Sequence, residues 1–149
     1  MRKERIIVSA CLWGINCRYD NEIRTCKKIL QLAEKFLCIP VCPEQLGGLS
    51  TPRNPSYISK GNGFEVLRGK TKVLTFKGKD VTHNFFLGAQ EALKIAQLTG
   101  CTHAILKEKS PSCGVNYIYQ KEKLVKGCGV TTALLLKNGF SVRSEVDVN

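Results

Sequence analysis

Three short apolar runs set the limits on what this chain can fold into: Ile6-Ile7-Val8, Leu37 to Val41 and Ala104 to Leu106. The first reads as a buried strand over Arg5 to Ala10, the second as a β-like run stopped at Cys42-Pro43, the third as a buried strand. Helical spacing separates them. Ile23, Cys26, Leu30, Ala33 and Leu37 recur at the period of an amphipathic helix, predicted over Glu22 to Lys35. Phe85, Ala89, Ala92, Leu93 and Ala96 form a second apolar stripe, with Asp80 or Thr82 as its cap and Gly100 as its stop. A last helix is expected from about Gly129 to Lys137, ended by Gly139, before a closing strand over Phe140 to Arg143. Strands alternating with helices imply βαβ units: an α/β chain, Rossmann-like, with a mostly parallel sheet flanked by helices.

Two segments stand outside that alternation. Residues 45–62, QLGGLSTPRNPSYISKGN, are rich in Gly, Pro, Ser and Asn and read as a long ordered loop. Phe64 to Leu67 and Lys72 to Phe76, joined by Arg68-Gly69-Lys70-Thr71, read as a small hairpin excursion. No internal repeat and no second composition regime is present, so residues 1–149 are expected to form a single domain.

Charge narrows the partners. Lys plus Arg number 23 and Asp plus Glu 12, a net charge of +11 that favours anionic partners such as nucleotides, RNA or phosphorylated substrates. Much of the excess is scattered (Lys70, Lys72, Lys77 and Lys79; Lys121, Lys123 and Lys126) with little aromatic interleaving. A solvated basic face accounts for that, and any contact with nucleic acid through it is expected to be weak. No run approaches the ~20 apolar residues of a membrane span, and MRKER leads into too few apolar residues for a signal peptide. No membrane partner and a cytoplasmic location are therefore expected. In that compartment thiols stay reduced, so eight cysteines point to metal or catalysis more than to disulfides.

The cysteines are not scattered. Cys11 follows the first strand, Cys42 the second, and Cys113 lies in the loop after the third. The carboxyl ends of a parallel sheet share one edge, where ligand sites form, so three residues distant in sequence are expected at one location. Cys26 and Cys38 fall within apolar patterns and read as small core hydrophobes, and Cys101 as packing. Cys128, between two glycines before a helix, is either packing or a thiol activated by the helix N-terminus. Cys17 shares the loop of Cys11 and is open between a fourth ligand, a sulfur carrier and a buried thiol. Three thiolates suit zinc only with a fourth protein ligand, and His83 and His103 lie remote from these loops. They suit an iron–sulfur cluster with one iron left open as a Lewis acid. Other chemistry sits beside them: Cys42-Pro43-Glu44 brings a carboxylate, and Ser110-Pro111-Ser112-Cys113 brings two hydroxyls.

The segments SACLWGINCRYD, VCPEQLGGLSTPRNP, GKDVTHNFFLGAQ, AILKEKSPSCG and GCGVTTALLLKNG resemble, in this order, the signature segments of the thiouracil desulfurase family over about residues 5–145. That resemblance implies a Rossmann-like domain and an oxygen-sensitive [4Fe-4S] cluster held by three cysteines, with the fourth iron open for substrate sulfur. It implies removal of sulfur from thiolated pyrimidines without net redox change. Carried over, the metal ligands are Cys11, Cys42 and Cys113, and the catalytic residues Glu44 and Ser110. Ser112, Asp20 and Arg53 are the candidate substrate-binding groups, and Cys17 stays an uncertain metal or sulfur-handling residue. The expected substrate is a small thiolated base, nucleoside or nucleotide. Two departures from the family pattern stand out: Trp13 where leucine is common, expected to reshape the mouth of the site, and Asn21 where glycine is frequent. The rival readings are a persulfide-carrying sulfurtransferase using Cys17 and a zinc-stabilised RNA-binding module.

Overall fold

The computed structural model describes residues 2–148. Its centre is a four-stranded sheet in the order β2-β1-β5-β8, every pair parallel, formed by β1 (Glu4–Ser9), β2 (Phe36–Val41), β5 (His103–Leu106) and β8 (Ser141–Ser144). The chain leaves β1 towards one side to make β2 and returns on the other to make β5. The order reverses between β1 and β5, and a crevice opens at their carboxyl ends.

Side-chain alternation sorts the strands onto two faces. Ile7, Ile39, Val41, Ala104, Leu106 and Val142 pack towards α4 (Thr82–Leu98) and α5 (Val130–Lys137). Ile6, Val8, Cys38 and Ile105 face the other way, onto Leu12, Ile29 and Val148. The stripe expected on α4 is present: Phe85, Ala89, Ala92 and Ala96 are buried and Leu93 packs on the core. Neither expected residue is its cap: Val81 holds the N-cap position without a side-chain bond, and Asp80 just before it accepts from the Thr82 amide at 2.9 Å and the Thr82 hydroxyl at 2.6 Å.

Three expectations fail, each for a local reason. The helix over Glu22 to Lys35 reduces to α1 (Lys27–Leu30) followed by a 3₁₀ turn, Gln31–Glu34. Ile23 is 62% exposed, and the Cys26 amide donates to the Leu12 carbonyl at 2.8 Å, a tertiary bond that competes with helix formation. Phe64 to Leu67 is not a hairpin arm but lies in a short helix, α3 (Gly63–Leu67), capped by Asn62, whose Oδ1 accepts from the Phe64 amide at 2.9 Å. The true antiparallel partner of β4 (Val73–Thr75) is β3 (Ser56–Ile58), inside the segment expected to be loop. A further hairpin, β6 (Tyr117–Gln120) and β7 (Lys123–Lys126), carries no clear sequence signal. These small sheets pack through Ile58, Val73 and Ile118 against Phe85 and Ala89, at the N-terminal end of the α4 stripe, whereas Leu93 and Ala96 near its other end meet the main sheet.

Candidate functional site

The crevice at the sheet edge opens into a cavity of about 690 Å³. Its floor is the ends of three strands: Ser9 to Cys11 after β1, Val41 to Glu44 after β2, and Lys107 to Pro111 with Cys113 after β5. Cys11, Cys42 and Cys113, together with Glu44, Ser110 and Arg53, thus border one space. Asp20 and Ser112 do not line it. Asp20 instead grips Arg18, accepting from Nε at 3.0 Å and Nη2 at 2.8 Å, so it orients a cavity arginine. Ser112 is buried behind the wall, its Oγ 2.9 Å from the Thr131 hydroxyl. Trp13 packs with Leu12 and Ile29 rather than at the mouth, and its indole N–H is buried without a hydrogen-bond partner among the described residues.

Two devices press the cysteine loops into place. Cys42 leads into α2 (Pro43–Leu46), one turn lying backbone to backbone on α4. A methyl group at Gly47 would strike the Asn84 carbonyl and one at Gly88 the Pro43 carbonyl, so only glycine permits this approach. Asn84 Nδ2 then donates to the Gly47 carbonyl at 2.9 Å. On the other side, the first turn of α5 receives the Cys113 loop. The amides of Val130 and Thr131 donate to the carbonyls of Pro111 and Ser112 at 2.9 Å each, and the Thr132 hydroxyl to the Cys113 carbonyl at 2.9 Å. Asn84, Gly88, Thr131 and Thr132 thus have positioning roles, although all four lie in segments that already marked the family resemblance.

The thiols differ. Cys17 is 2% exposed, and its thiol lies within hydrogen-bonding reach of both Cys11 and Cys42. That donor lowers Cys42 to about 7 and lowers Cys11, while Cys17 itself is raised and keeps its proton. Cys113 is buried and raised, first by burial and then by the nearby Glu44. Burial pushes Cys128 to about 11, so it packs and is not activated. Among the described residues, no three His, Cys, Asp or Glu side chains converge as a single metal ion requires. A cluster in which each of three irons takes one thiolate does not need that convergence, and a cavity bordered by three cysteines from separate strand ends fits it.

Polar groups complete the wall. Arg53 Nη2 reaches Glu44 Oε2 at 3.2 Å, and the Arg53 amide donates to the Tyr19 carbonyl at 2.9 Å, tying two loops across the mouth. Ser110 Oγ accepts from the amides of Ser112 at 3.1 Å and Cys113 at 3.0 Å. With both lone pairs engaged, this hydroxyl has its proton left to offer. Glu108, a residue that sequence reasoning passed over, lies buried beside it. Arg18, Arg24, Lys107, Lys109 and Lys121 also border the cavity, whereas Lys70, Lys72, Lys77 and Lys79 are exposed elsewhere.

The chain is similar to known proteins over nearly its whole length. The sequence profile of the 2-thiouracil desulfurase family matches residues 6–147. The uncharacterized protein YbbK of Bacillus subtilis (strain 168) is 44% identical over 147 residues, 97% of each chain. The solved structure of the [4Fe-4S]-dependent thiouracil desulfidase TudS superposes with a TM-score of 0.85 at 40% identity, covering 98% of this chain and 93% of that one.

Proposed function

This chain belongs to the 2-thiouracil desulfurase family, and we propose that it is a [4Fe-4S]-dependent desulfidase replacing the sulfur of a thiolated pyrimidine with oxygen. The observation that carries this is the meeting of three strand-end cysteines, a carboxylate and a hydroxyl in one cavity. Cys11, Cys42 and Cys113 would hold the cluster. When bound by three protein thiolates, such a cluster supplies an iron without a protein ligand, a soft Lewis acid for thiocarbonyl sulfur.

The remaining work falls to the protein. Glu44, held through one oxygen by Arg53, is the base that takes a proton from the attacking water. Ser110 directs its free proton at the heteroatoms of the ring and so orients the base. A carbon–oxygen bond forms, the carbon–sulfur bond breaks, and both protons of the water leave with sulfur as hydrogen sulfide. No electrons are exchanged with an outside partner. Cys17, buried between Cys11 and Cys42, would act as a thiol donor to them rather than as a fourth ligand or a persulfide carrier.

Size and charge extend the reading to the substrate. A cavity of about 690 Å³ falls within the roughly 300–1,000 Å³ of sites for drug-sized ligands. Its cationic rim suits a nucleoside or a phosphorylated nucleoside as well as the free base. Contact of the exposed lysines with nucleic acid is a weak, salt-sensitive addition. Among the described residues no helix is long and apolar enough to cross a membrane. We read the chain as a single domain of the cytoplasm, a reducing compartment that suits eight free thiols.

The test is anaerobic purification and reconstitution, quantitation of iron and sulfide, then assay of 2- and 4-thiouracil with their nucleosides and nucleotides. Cluster-dependent release of sulfide and the oxo-product supports the reading. A colourless zinc protein that binds RNA, or iron-independent turnover requiring Cys17, would replace it.

A further inference from the structure

We propose that Glu108 is a further positioning residue of this site: its buried carboxylate fills a ring of amide donors and so fixes the loop that presents Ser110 and Cys113. The importance of that loop rests on the function proposed above; the clamp itself rests on geometry alone. Glu108 is 4% exposed, and among the described residues no cation pairs with it. Lys107, its neighbour, reaches instead to Glu145 at 3.1 Å. A buried charge of this kind persists only when hydrogen bonds replace its hydration.

Those bonds come from both ends of one loop. Oε1 accepts from the amides of Lys109 at 3.3 Å, Val115 at 2.8 Å, Asn116 at 2.8 Å and Tyr117 at 3.1 Å, and Oε2 from Asn116 Nδ2 at 2.8 Å. The carboxylate therefore staples the start of the segment 108–117 to its end, where β6 begins. Lys109 is held at φ 70°, a left-handed conformation that costs a lysine energy and needs support from its surroundings. A second layer backs the staple: Glu145 Oε1 accepts from the Glu108 amide at 2.8 Å, and Asp147 Oδ2 from Asn116 Nδ2 at 3.0 Å. Between the stapled ends lie Ser110 and Cys113. Without the carboxylate, four backbone donors lose their acceptor together, and the loop must rearrange to satisfy them.

Because Glu108 borders the cavity, truncating it leaves a hole of amide donors that a small carboxylate can enter. The experiment compares wild type, Glu108→Ala, Glu108→Gln and the control Val73→Ala, a core truncation at a buried position that does not line the cavity, with and without formate. It reads amide hydrogen exchange over 109–117 in the cluster-free protein, and kcat and KM in the reconstituted enzyme. Glu108→Ala is expected to speed exchange in that segment and lower kcat on the order of 10–100-fold with little change in KM, as for misplaced catalytic groups. Formate is expected to restore the exchange protection, and part of kcat, in Glu108→Ala only. Val73→Ala is expected to lose thermal stability while keeping kcat. If Glu108→Ala does not fold, Glu108→Gln, which keeps one acceptor oxygen, is expected to show faster exchange and reduced kcat. Wild-type exchange and kcat in Glu108→Gln overturn the inference. So does formate without effect on Glu108→Ala, or a kcat loss in Val73→Ala equal to that of Glu108→Ala. A wild-type protein that released no sulfide would defeat the proposed function alone, since exchange and formate still judge the carboxylate.

Discussion

Glu44 and Glu108 stand in the walls of the same cavity, two residues from a cysteine in one case and five in the other. Their surroundings assign them opposite work. Glu44 has one side-chain partner among the described residues, Arg53 on Oε2, which leaves Oε1 to the cavity. Glu108 has both oxygens consumed by the backbone amides and the Asn116 side chain. A carboxylate with a free oxygen can take a proton during a reaction; one saturated by amides holds its charge and the chain around it. Proximity to the cysteines alone would not separate them.

The sharpest way to break that contrast is Glu44→Gln. Turnover is expected to fall by about 10²–10⁴-fold, the scale of a lost general base, while melting temperature and substrate affinity hold and one limb of the pH–rate curve disappears. Weakened binding and melting with an unchanged pH profile would make Glu44 a structural residue like Glu108. Arg53→Gln should cost less, about tenfold in turnover, since it removes one charge-assisted hydrogen bond that aims Glu44. Turnover at the wild-type level would show that Glu44 needs no such aim.

Acid tests Glu108 through stability. Burial pushes Glu108 up, but the amides of Tyr117, Asn116 and Val115 outweigh it and hold its pKa below the ordinary 4.5. A lowered carboxylate stabilises the fold above its unfolded pKa and loses that contribution as pH falls through the folded value. Thermal melts of cluster-free protein, taken downward from pH 5, should therefore fall less steeply for Glu108→Gln than for wild type. Identical slopes would remove Glu108 from the acid response. The smallest effect is expected at Cys17. Cys17→Ser, which keeps a donor to Cys11 and Cys42, should retain full iron content with reduced turnover, and loss of the cluster there would force a different ligand set.

Much of the site was legible because strand ends are easy to read. Ile6-Ile7-Val8, Leu37 to Val41 and Ala104 to Leu106 are apolar enough to be strands under any packing, and a parallel sheet then places the cysteines that follow them on one edge. The periodic helices fared unequally. Phe85 to Ala96 is a long, regular stripe and survives, whereas Ile23 and Cys26 matched helical spacing but lost to the bond between the Cys26 amide and Leu12. Strands of three or four residues, such as Ser56–Ile58 and Lys123–Lys126, are too short to impose a period, so their pairing follows from the core they meet. The roles of Glu108, Asn84 and Thr132 depend on which backbone groups face them, and no spacing in the sequence encodes that.

The central claim is that Cys11, Cys42 and Cys113 hold a cluster whose open iron meets the substrate. Iron and sulfide content after anaerobic reconstitution tests it most directly. Alanine at Cys11, Cys42 or Cys113 should each abolish cluster assembly, while Cys26→Ala and Cys38→Ala, which remove half-buried thiols that pack on the far face of the sheet, should keep the brown chromophore. A full complement of iron and sulfide in Cys113→Ala would contradict the account.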